Sequence, residues 1–378
     1  MPLQIYNEIP SGIRKPVDSS NYFIGGEKLM QHMMKWLEDL HNSSVKKAMP
    51  VLSFPAIQLM GITVLDLIND SDLQAKAMKM IADRVDSAAS LSLMDLSVEA
   101  ECFGSEIRKS DYEVPTVTGS IVTDMQSAER LSIPEIGTGR TGIYIDAVTK
   151  AKKMIQDRPV FAGMIGPFSL SGRLLNVTEI MVHCYDDPEL VHAVMEKSTE
   201  FLINYAKAYK KSGANGIIMA EPLTGILSPV LARKFSSPYV KKIVDEIQDD
   251  NFLVIYHNCG NNTIQMIDSI LFTGAAAFHF GNSIDMSVML QKIPEHIIVM
   301  GNIDPAKEIK GGTPQSVRKA TLETLEKCSH HPNFVISSGC DIPPLSSWEN
   351  IDAFFGAVKE YYDKIKNNDN ESAFLEKE

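Results

Sequence analysis

Short apolar runs alternate with amphipathic segments from about residue 50 to the end of the chain. The runs are four to six residues long, as buried strands are, and the segments between them follow the 3.6-residue period of a helix. The predicted strands are residues 50–54, 91–96, 160–165, 216–220, 252–256, 275–280, 297–300 and 334–337. Alternating strands and helices are typical of a parallel sheet, and eight such units predict an α/β fold of the TIM (β/α)8 barrel class.

Capping signals mark where the helices begin and end. Asp187 precedes Pro188 and Glu189, so the aspartate can cap free backbone N–H groups while the proline fits the first turn. The apolar stripe that follows ends at Gly213, a residue type that commonly terminates helices. The same reasoning predicts helices over residues 72–88, 228–248 and 348–364.

The pattern lapses over residues 111–146, which contain prolines and glycines but no helical stripe. We expect a loop or hairpin insertion that lies over the strand ends. The predicted domains are an N-terminal extension (1–45) with a possible helix over residues 26–40, a catalytic barrel (46–365) and a polar tail (366–378).

The charge balance argues against nucleic acid and anionic membranes as partners. Acidic residues number 48 against 36 basic ones, which gives a formal net charge of −12 without a long basic cluster. No apolar run is long enough to span a bilayer, and the N-terminus lacks a leader pattern, so we expect a cytoplasmic protein. Its five cysteines are odd in number and widely spread, which indicates reduced thiols and not a disulfide framework.

Three candidate metal ligands follow predicted strands. His257 and Cys259 come directly after residues 252–256, and Cys340 comes after residues 334–337. The carboxyl ends of barrel strands converge on one mouth, and ligands two apart on extended backbone point the same way. One imidazole and two thiolates favour zinc, and three protein ligands leave a fourth position open for chemistry. Gly260 and Gly339 are expected to relax the neighbouring backbone.

A plainer interpretation remains open for each of these residues. His257 can be a hydrogen-bonded core residue, and the two cysteines can be small buried side chains, as most free cysteines are. We expect the other three cysteines, which lack a strand-end position, to pack in the core: Cys102, Cys184 and Cys328.

Segments near the predicted strand ends carry a family resemblance. They are residues 166–170 (Gly-Pro-Phe-Ser-Leu), 219–222 (Met-Ala-Glu-Pro), 256–260 (Tyr-His-Asn-Cys-Gly), 301–305 (Gly-Asn-Ile-Asp-Pro) and 338–344 (Ser-Gly-Cys-Asp-Ile-Pro-Pro). Together they resemble the uroporphyrinogen decarboxylase superfamily, and more narrowly its zinc-dependent, corrinoid-linked methyltransferase branch. The resemblance covers about residues 50–365 and implies a TIM barrel, which agrees with the strand count.

The resemblance also separates decarboxylation from methyl transfer. Decarboxylases of the superfamily carry arginines after the first strand, whereas residues 53–61 contain none. They also have a histidine in the last strand's Gly-His-Gly turn, where this chain has Cys340. Asp95 matches the catalytic aspartate of the decarboxylases, although a capping or loop carboxylate is an equal alternative. Glu99 and Glu101 add charge nearby or are solvated.

The resemblance implies transfer of a methyl group from a corrinoid of the methylcobalamin type, carried by a partner protein, to a thiol such as coenzyme M or to another acceptor such as tetrahydrofolate. Zinc would bind the acceptor sulfur and lower its pKa. Glu221 is predicted to take part in catalysis and to be a displaceable fourth ligand, against the alternative of a loop carboxylate facing water. His279 and Asp285 are further candidates for contacts behind the metal or with substrate. For His279, a lone histidine between two phenylalanines, the favoured alternative is a packed core residue.

Two other functions fit parts of the pattern. One is a lyase that resembles uroporphyrinogen decarboxylase, which the missing arginines disfavour. The other is a non-catalytic barrel that docks a corrinoid protein and holds a structural zinc, which would require a fourth firm protein ligand.

Overall fold

The computed structural model describes residues 32–375, with side chains described as far as residue 367. The strands are β1 (Ser90–Leu91), β2 (Glu106–Arg108), β3 (Thr116–Thr118), β4 (Val160–Ile165), β5 (Gly216–Ala220), β6 (Leu253–Asn258), β7 (Ala277–Phe280), β8 (Ile298–Ile303) and β9 (Phe334–Ser338). The helices are α1 (Met33–Asn42), α2 (Ala56–Met60), α3 (Val64–Ile68), α4 (Ser71–Arg84), α5 (Val98–Cys102), α6 (Met125–Arg130), α7 (Thr141–Met154), α8 (Pro167–Leu175), α9 (Val177–Asp186), α10 (Pro188–Lys211), α11 (Pro229–Phe235), α12 (Ser237–Ile247), α13 (Ile267–Phe272), α14 (Met286–Leu290), α15 (Pro314–Cys328) and α16 (Trp348–Leu375). Short 3₁₀ turns cover Thr224–Ile226 and Thr263–Met266, and a π-helical turn covers Pro305–Lys310.

The main sheet is parallel and follows the order of the chain. Within the described residues its seven strands are arranged β1-β4-β5-β6-β7-β8-β9, as successive βα units produce. Ala220 of β5 pairs with His257 of β6, which pairs in turn with His279 of β7. The carboxyl ends of three neighbouring strands therefore meet where the candidate ligands were predicted.

The first predicted strand, residues 50–54, does not form a regular strand. The Ala88 N–H, just before β1, donates to the Ala48 carbonyl at 2.8 Å, and the Val51 N–H donates to the Ser338 hydroxyl of β9 at 2.9 Å. Residues 48–51 thus lie between β9 and β1 and close the barrel. Because a serine hydroxyl replaces a backbone carbonyl there, the segment lacks a regular ladder.

Helix α1 covers the amino-terminal end of the barrel. The Met33 N–H donates to the carbonyl of Asp250, just before β6, at 2.7 Å. Trp36 packs on Phe161 at the start of β4, with ring centroids 5.5 Å apart. The same apolar cluster includes barrel-interior side chains such as Ile218 and Ile255. The amino-terminal end of the barrel is therefore closed by apolar packing, and the candidate ligands lie at the opposite, carboxyl end.

The helix predictions hold in part. The Asp187 carboxylate accepts a hydrogen bond from the Leu190 N–H at 3.1 Å, and Gly213, with a φ of +89°, follows the end of α10. The helix predicted over residues 228–248 is two helices, α11 and α12. Ser236 leaves helical backbone at φ −121° and ψ −64°, and Pro238, which has no N–H, follows it.

The two ends of the chain are only partly described. The helix predicted over residues 26–40 begins outside the described residues, and α1 starts at Met33 inside them. Helix α16 runs to Leu375, so it enters the segment predicted as a polar tail. The domain boundaries stay predictions.

The irregular segment contains one strand of a hairpin, β3, whose partner β2 lies just before the segment. Strands β2 and β3 pair antiparallel, with Ile107 opposite Val117. Helix α6 and the first turn of α7 also fall within residues 111–146, where the sequence indicated no helix. A six-residue helix is too short to show an apolar stripe.

A bilayer-crossing helix, which must be both long and apolar, does not occur among the described residues.

Candidate metal centre

The structure brings together the three predicted metal ligands. His257 lies in β6, Cys259 follows that strand directly, and Cys340 lies two residues after β9. One nitrogen and two sulfur atoms from these side chains all lie within 4.8 Å of one another. In tetrahedral zinc sites, Zn–S bonds of about 2.3 Å and Zn–N bonds of about 2.0 Å put donor atoms about 3.5–3.8 Å apart. A small contraction would make the three atoms fit zinc.

Hydrogen bonds identify which nitrogen of His257 faces the thiols. The Ser337 hydroxyl donates to the Met49 carbonyl at 2.7 Å, so its oxygen accepts from Nε2 of His279, also at 2.7 Å. Nδ1 of His279 then has a lone pair and accepts from Nδ1 of His257 at 2.7 Å. Nε2 of His257 is left without a proton, buried and without a hydrogen-bond partner. That lone pair is the donor that a metal ion requires.

The two thiols are neighbours and shift each other's pKa. The Cys340 thiol lowers the pKa of the Cys259 thiol. The Cys259 thiol, together with burial, raises the pKa of Cys340 to about 12. Adjacent thiols resist a second ionisation because two negative charges would lie side by side. A divalent cation would remove that penalty, since it binds both as thiolates.

The two glycines beside the ligands allow a close approach of neighbouring backbone, and neither adopts a left-handed conformation. Neither Gly260 nor Gly339 has a positive φ, so the expectation that they relax the backbone is wrong. A Cβ on Gly260 would lie 2.2 Å from backbone atoms of Gly225, and one on Gly339 would lie 2.6 Å from the Asn282 nitrogen. These glycines let the loops after the strands pack closely enough to bring the ligands together.

The structure does not place Glu221 in the ligand cluster. Its carboxylate is buried at the start of α8, where it accepts from the backbone N–H groups of Phe168 (2.8 Å) and Ser169 (2.9 Å). The Ser169 hydroxyl donates a third bond at 2.6 Å. Burial raises the pKa of Glu221 to about 7. A ligand role for Glu221 would require release from these donors, and the alternative of a carboxylate facing water is wrong.

Asp95 is buried in an ion pair. Its carboxylate accepts from the guanidinium of Arg140, from the Tyr144 hydroxyl at 2.8 Å and from the Ser97 hydroxyl at 2.6 Å. Both side chains of the ion pair are at most 4% exposed. Asp95 is not among the residues that line the described cavity, whereas its neighbour Ser97 is. A catalytic role for Asp95 stays a prediction.

The two glutamates after Asp95 have different surroundings. Glu99 is buried, accepts from the Ile165 N–H at 3.0 Å and has its second oxygen unpartnered. Burial raises its pKa to about 7, so the solvated alternative is wrong for Glu99. Glu101 forms ion pairs with Arg140 and Lys109.

The remaining candidates have structural partners. His279 lies behind His257, as the bonds above show, and burial holds its pKa well below the ordinary value. Asp285 caps α14 by accepting from the Ser287 and Val288 N–H groups at 3.0 and 3.4 Å.

A cavity of about 240 Å³ lies beside the ligand cluster at the barrel mouth. His257, Cys259 and Cys340 form part of its wall, and the wall is otherwise mostly apolar. The apolar lining comes from the closing segment, the β1–α5 loop, the hairpin and the loop after β5: Val51, Met94, Leu96, Val114, Pro115, Val117, Ala220 and Pro222. Arg173 and Asp341 also line it. Arg173 could not have been singled out from the sequence, because its distinguishing feature is that its side chain has no hydrogen-bond partner among the described residues.

Comparison with known proteins shows which family and which relatives this chain resembles. The chain matches the family described as Uroporphyrinogen decarboxylase (URO-D) over residues 44–361. It is 28% identical over 273 residues to "Methylcobamide:CoM methyltransferase MtbA" of Methanosarcina acetivorans, which covers 71% of this chain and 78% of that protein. It is 24% identical over 307 residues to the uroporphyrinogen decarboxylase of Hydrogenovibrio crunogenus, with 78% and 85% covered.

Comparison with solved structures tests the predicted fold. A methyltransferase from Methanosarcina mazei superposes with a TM-score of 0.77 at 22% identity, over 89% of this chain and all of that one. This likeness confirms the TIM-barrel fold class. From the match over residues 44–361, the chain belongs to the uroporphyrinogen decarboxylase family.

Proposed function

We propose that this chain is a zinc-dependent methyltransferase that moves a methyl group from a corrinoid, carried by a partner protein, to a small thiol. One observation carries the proposal: an imidazole nitrogen without a partner and two thiol sulfurs lie within 4.8 Å of one another in a cavity wall. The name of the Methanosarcina acetivorans relative supports the reaction class.

His257, Cys259 and Cys340 would hold the ion, and all three side chains line the cavity. When bound, zinc would lower the pKa of an acceptor thiol, so that thiolate is available near neutral pH. The chain itself orients the donors: His279 and Ser337 hold the His257 ring in the tautomer whose Nε2 is free. Such partners behind a metal ligand fix its orientation and raise its basicity.

The apolar wall has a second effect on the reaction. It excludes water from the acceptor sulfur, which leaves a thiolate less solvated and more nucleophilic. In the transfer, the sulfur electron pair forms the bond to the methyl carbon, and the electron pair of the cobalt–carbon bond stays with the corrinoid. Glu221 as a displaceable fourth ligand remains part of the proposal, at the cost of its bonds to α8. All five thiols are free in the structure, and we place the protein in the cytoplasm.

The cavity size disfavours one alternative, and the number of metal ligands disfavours the other. At about 240 Å³ it is smaller than sites for drug-sized ligands, which span about 300–1,000 Å³, whereas a porphyrinogen is a large tetrapyrrole. A structural zinc usually has four protein ligands. Among the described residues, the cluster that could hold an ion has three.

The test is demethylation of methylcobalamin, followed by the cobalt absorbance, with zinc-loaded protein and a panel of thiols and tetrahydrofolate. We expect thiol-dependent demethylation with the wild type and a loss of at least about 100-fold with Cys340→Ser, because the substitution removes a ligand. Cys102→Ser is the matched control, since Cys102 is a buried thiol whose sulfur lies 3.9 Å from the Glu135 carbonyl oxygen. Absence of demethylation with every acceptor, using free and protein-bound corrinoid, would refute the proposal.

A further inference from the structure

The two thiols of the ligand cluster lie close enough to be joined to each other. The sulfur atoms of Cys259 and Cys340 lie within 4.8 Å of one another, although the two residues are far apart in the chain. A disulfide requires about 2.0 Å between its sulfur atoms. Rotation of a cysteine side chain from one staggered position to another moves its sulfur by about 3 Å. A movement of that size is large enough to close the gap between the two sulfurs.

Both sulfurs can be reached from outside the protein. Cys259 and Cys340 are each partly exposed, and both line the cavity of about 240 Å³ at the barrel mouth. A short linear molecule that enters the cavity can therefore contact either sulfur.

The other three thiols are protected from such a molecule. Cys102, Cys184 and Cys328 are buried, and burial raises the pKa of each of these thiols to about 11. A thiol that stays protonated reacts slowly with disulfides, because the thiolate is the nucleophile. These three residues do not line the barrel-mouth cavity. Oxidation should therefore select Cys259 and Cys340.

We propose that Cys259 and Cys340 form a disulfide when the site holds no metal, so that the site is a redox switch in which only the reduced pair binds zinc. The oxidant is a low-molecular-weight disulfide. One cysteine sulfur attacks a sulfur of that molecule and releases one small thiol. The second cysteine then attacks the protein sulfur of the mixed disulfide and releases the other small thiol. The two released thiols carry the two protons lost by the cysteines, and the two electrons reduce the small disulfide.

Zinc and the disulfide exclude each other at this site. A metal ion binds the two sulfurs as thiolates, whereas the sulfurs of a disulfide carry no negative charge. The oxidised site would offer His257 alone, and zinc sites in proteins have three or four protein ligands. The balance of small thiols and disulfides around the protein should therefore determine how much of it can bind metal. This inference goes beyond the proposed function, because it concerns the ligand residues and not methyl transfer.

The experiment incubates metal-free protein, without oxygen, with 2-hydroxyethyl disulfide, the oxidised form of 2-mercaptoethanol. The remaining thiols are then alkylated in denaturant, and the protein is analysed by mass spectrometry before and after digestion. We expect three of the five thiols to be alkylated and the peptides that contain Cys259 and Cys340 to be joined. Free zinc at 100 times its Kd should slow the oxidation by about 100-fold, because only about one molecule in a hundred is then metal-free.

Two variants and a control test which thiols are paired. Cys259→Ser and Cys340→Ser cannot close the disulfide, so the remaining cysteine of the pair should retain one 2-mercaptoethanol as a mixed disulfide. Cys102→Ser should form the same disulfide as the wild type.

Zinc binding by the oxidised wild type is measured by competition with a chromophoric chelator. Oxidation should lower the zinc affinity by at least about 100-fold, since two of the three ligands are lost, and dithiothreitol should restore it. The inference would be overturned by full alkylation of Cys259 and Cys340, by a wild-type product that stops at the mixed disulfide, by an oxidation rate that zinc does not change, or by unchanged zinc affinity after oxidation. These measurements need neither a corrinoid nor a methyl acceptor, so this inference and the proposed function can fail separately.

Discussion

At the scale of single residues, the site depends on a chain of hydrogen bonds that begins outside it. The Met49 carbonyl fixes the Ser337 hydroxyl, which fixes His279, which fixes the proton of His257 on Nδ1. The free Nε2 of His257 is thus determined by a backbone carbonyl of the segment that closes the barrel. The sequence suggested His279 as a contact behind the metal, but the direction of the bonds became visible only in the structure.

His279→Phe tests this chain of bonds. Loss of the acceptor for the His257 proton should lower zinc affinity by about 10- to 100-fold, the effect typical of partners behind metal ligands. The measurement is competition for zinc with a chromophoric chelator. His192→Gln is the control, because His192 bonds to Tyr239 at 2.7 Å and is not part of the ligand cluster. Wild-type affinity in His279→Phe would show that the bonds do not orient His257.

The raised pKa of the buried Glu99 carboxyl predicts that the stability of the protein depends on pH. Burial raises its pKa to about 7, above its value in the unfolded chain. The folded state therefore holds more protons, so the stabilising contribution is complete below about pH 4.5 and is lost as pH rises through 7. From the raised pKa, Glu99 should reduce the free energy of unfolding by about 2 kcal/mol between pH 5 and pH 8.

Glu99→Gln removes the titration and keeps an acceptor for the Ile165 N–H. Urea unfolding at pH 5 and pH 8 should show that the variant gains stability relative to the wild type as the pH rises. Glu106→Gln, at an exposed position of β2, should retain the wild-type dependence. An unchanged pH dependence in Glu99→Gln would mean that Glu99 is ionised in the folded protein throughout this range.

At the scale of elements, the sequence was most informative where strands are buried on both faces. Strands β4 and β5 have the predicted bounds, because each is a continuous apolar run. The strand predicted over residues 50–54 was wrong because serine hydroxyls of β9 take the place of backbone hydrogen bonds there. A pattern of apolar residues does not reveal such side-chain bonds. The single helix predicted over residues 228–248 failed because an amphipathic period continues across the break at Ser236.

The start of α8 depends on a close contact between Gly166 and Glu221. A Cβ at residue 166 would lie 2.2 Å from Cγ of Glu221, whose carboxylate caps the helix. Gly166→Ala should therefore destabilise the fold by about 1–3 kcal/mol, as overpacking does. Gly356→Ala is the matched control: its added Cβ meets nothing within 4 Å, and in helix α16 it should stabilise by up to about 1 kcal/mol. Urea midpoints of both variants check this, and equal effects of one sign would contradict it.

At the scale of the whole molecule, the sequence could identify the ligands but not the cavity. His257, Cys259 and Cys340 were predictable because strand ends of a barrel converge. Arg173 was not, since its distinguishing feature is the absence of a hydrogen-bond partner among the described residues, and that absence depends on every neighbour in space. Glu221 was singled out by its position at a strand end. In the structure its carboxylate instead accepts hydrogen bonds from the first turn of α8, which begins 54 residues earlier in the chain.

The ligand cluster joins β6 to the loop after β9, so zinc should stabilise the entire barrel. An ion that binds only the folded state adds about 2.7 kcal/mol to the free energy of unfolding when its free concentration is 100 times Kd. We expect urea unfolding of zinc-loaded protein to show this increment and a chelator to abolish it. Cys340→Ser should lose the increment because its site has two ligands, whereas Cys102→Ser should retain it. A chelator effect of equal size in both variants would place the stabilising ion elsewhere, since Cys102 has no position in the cluster.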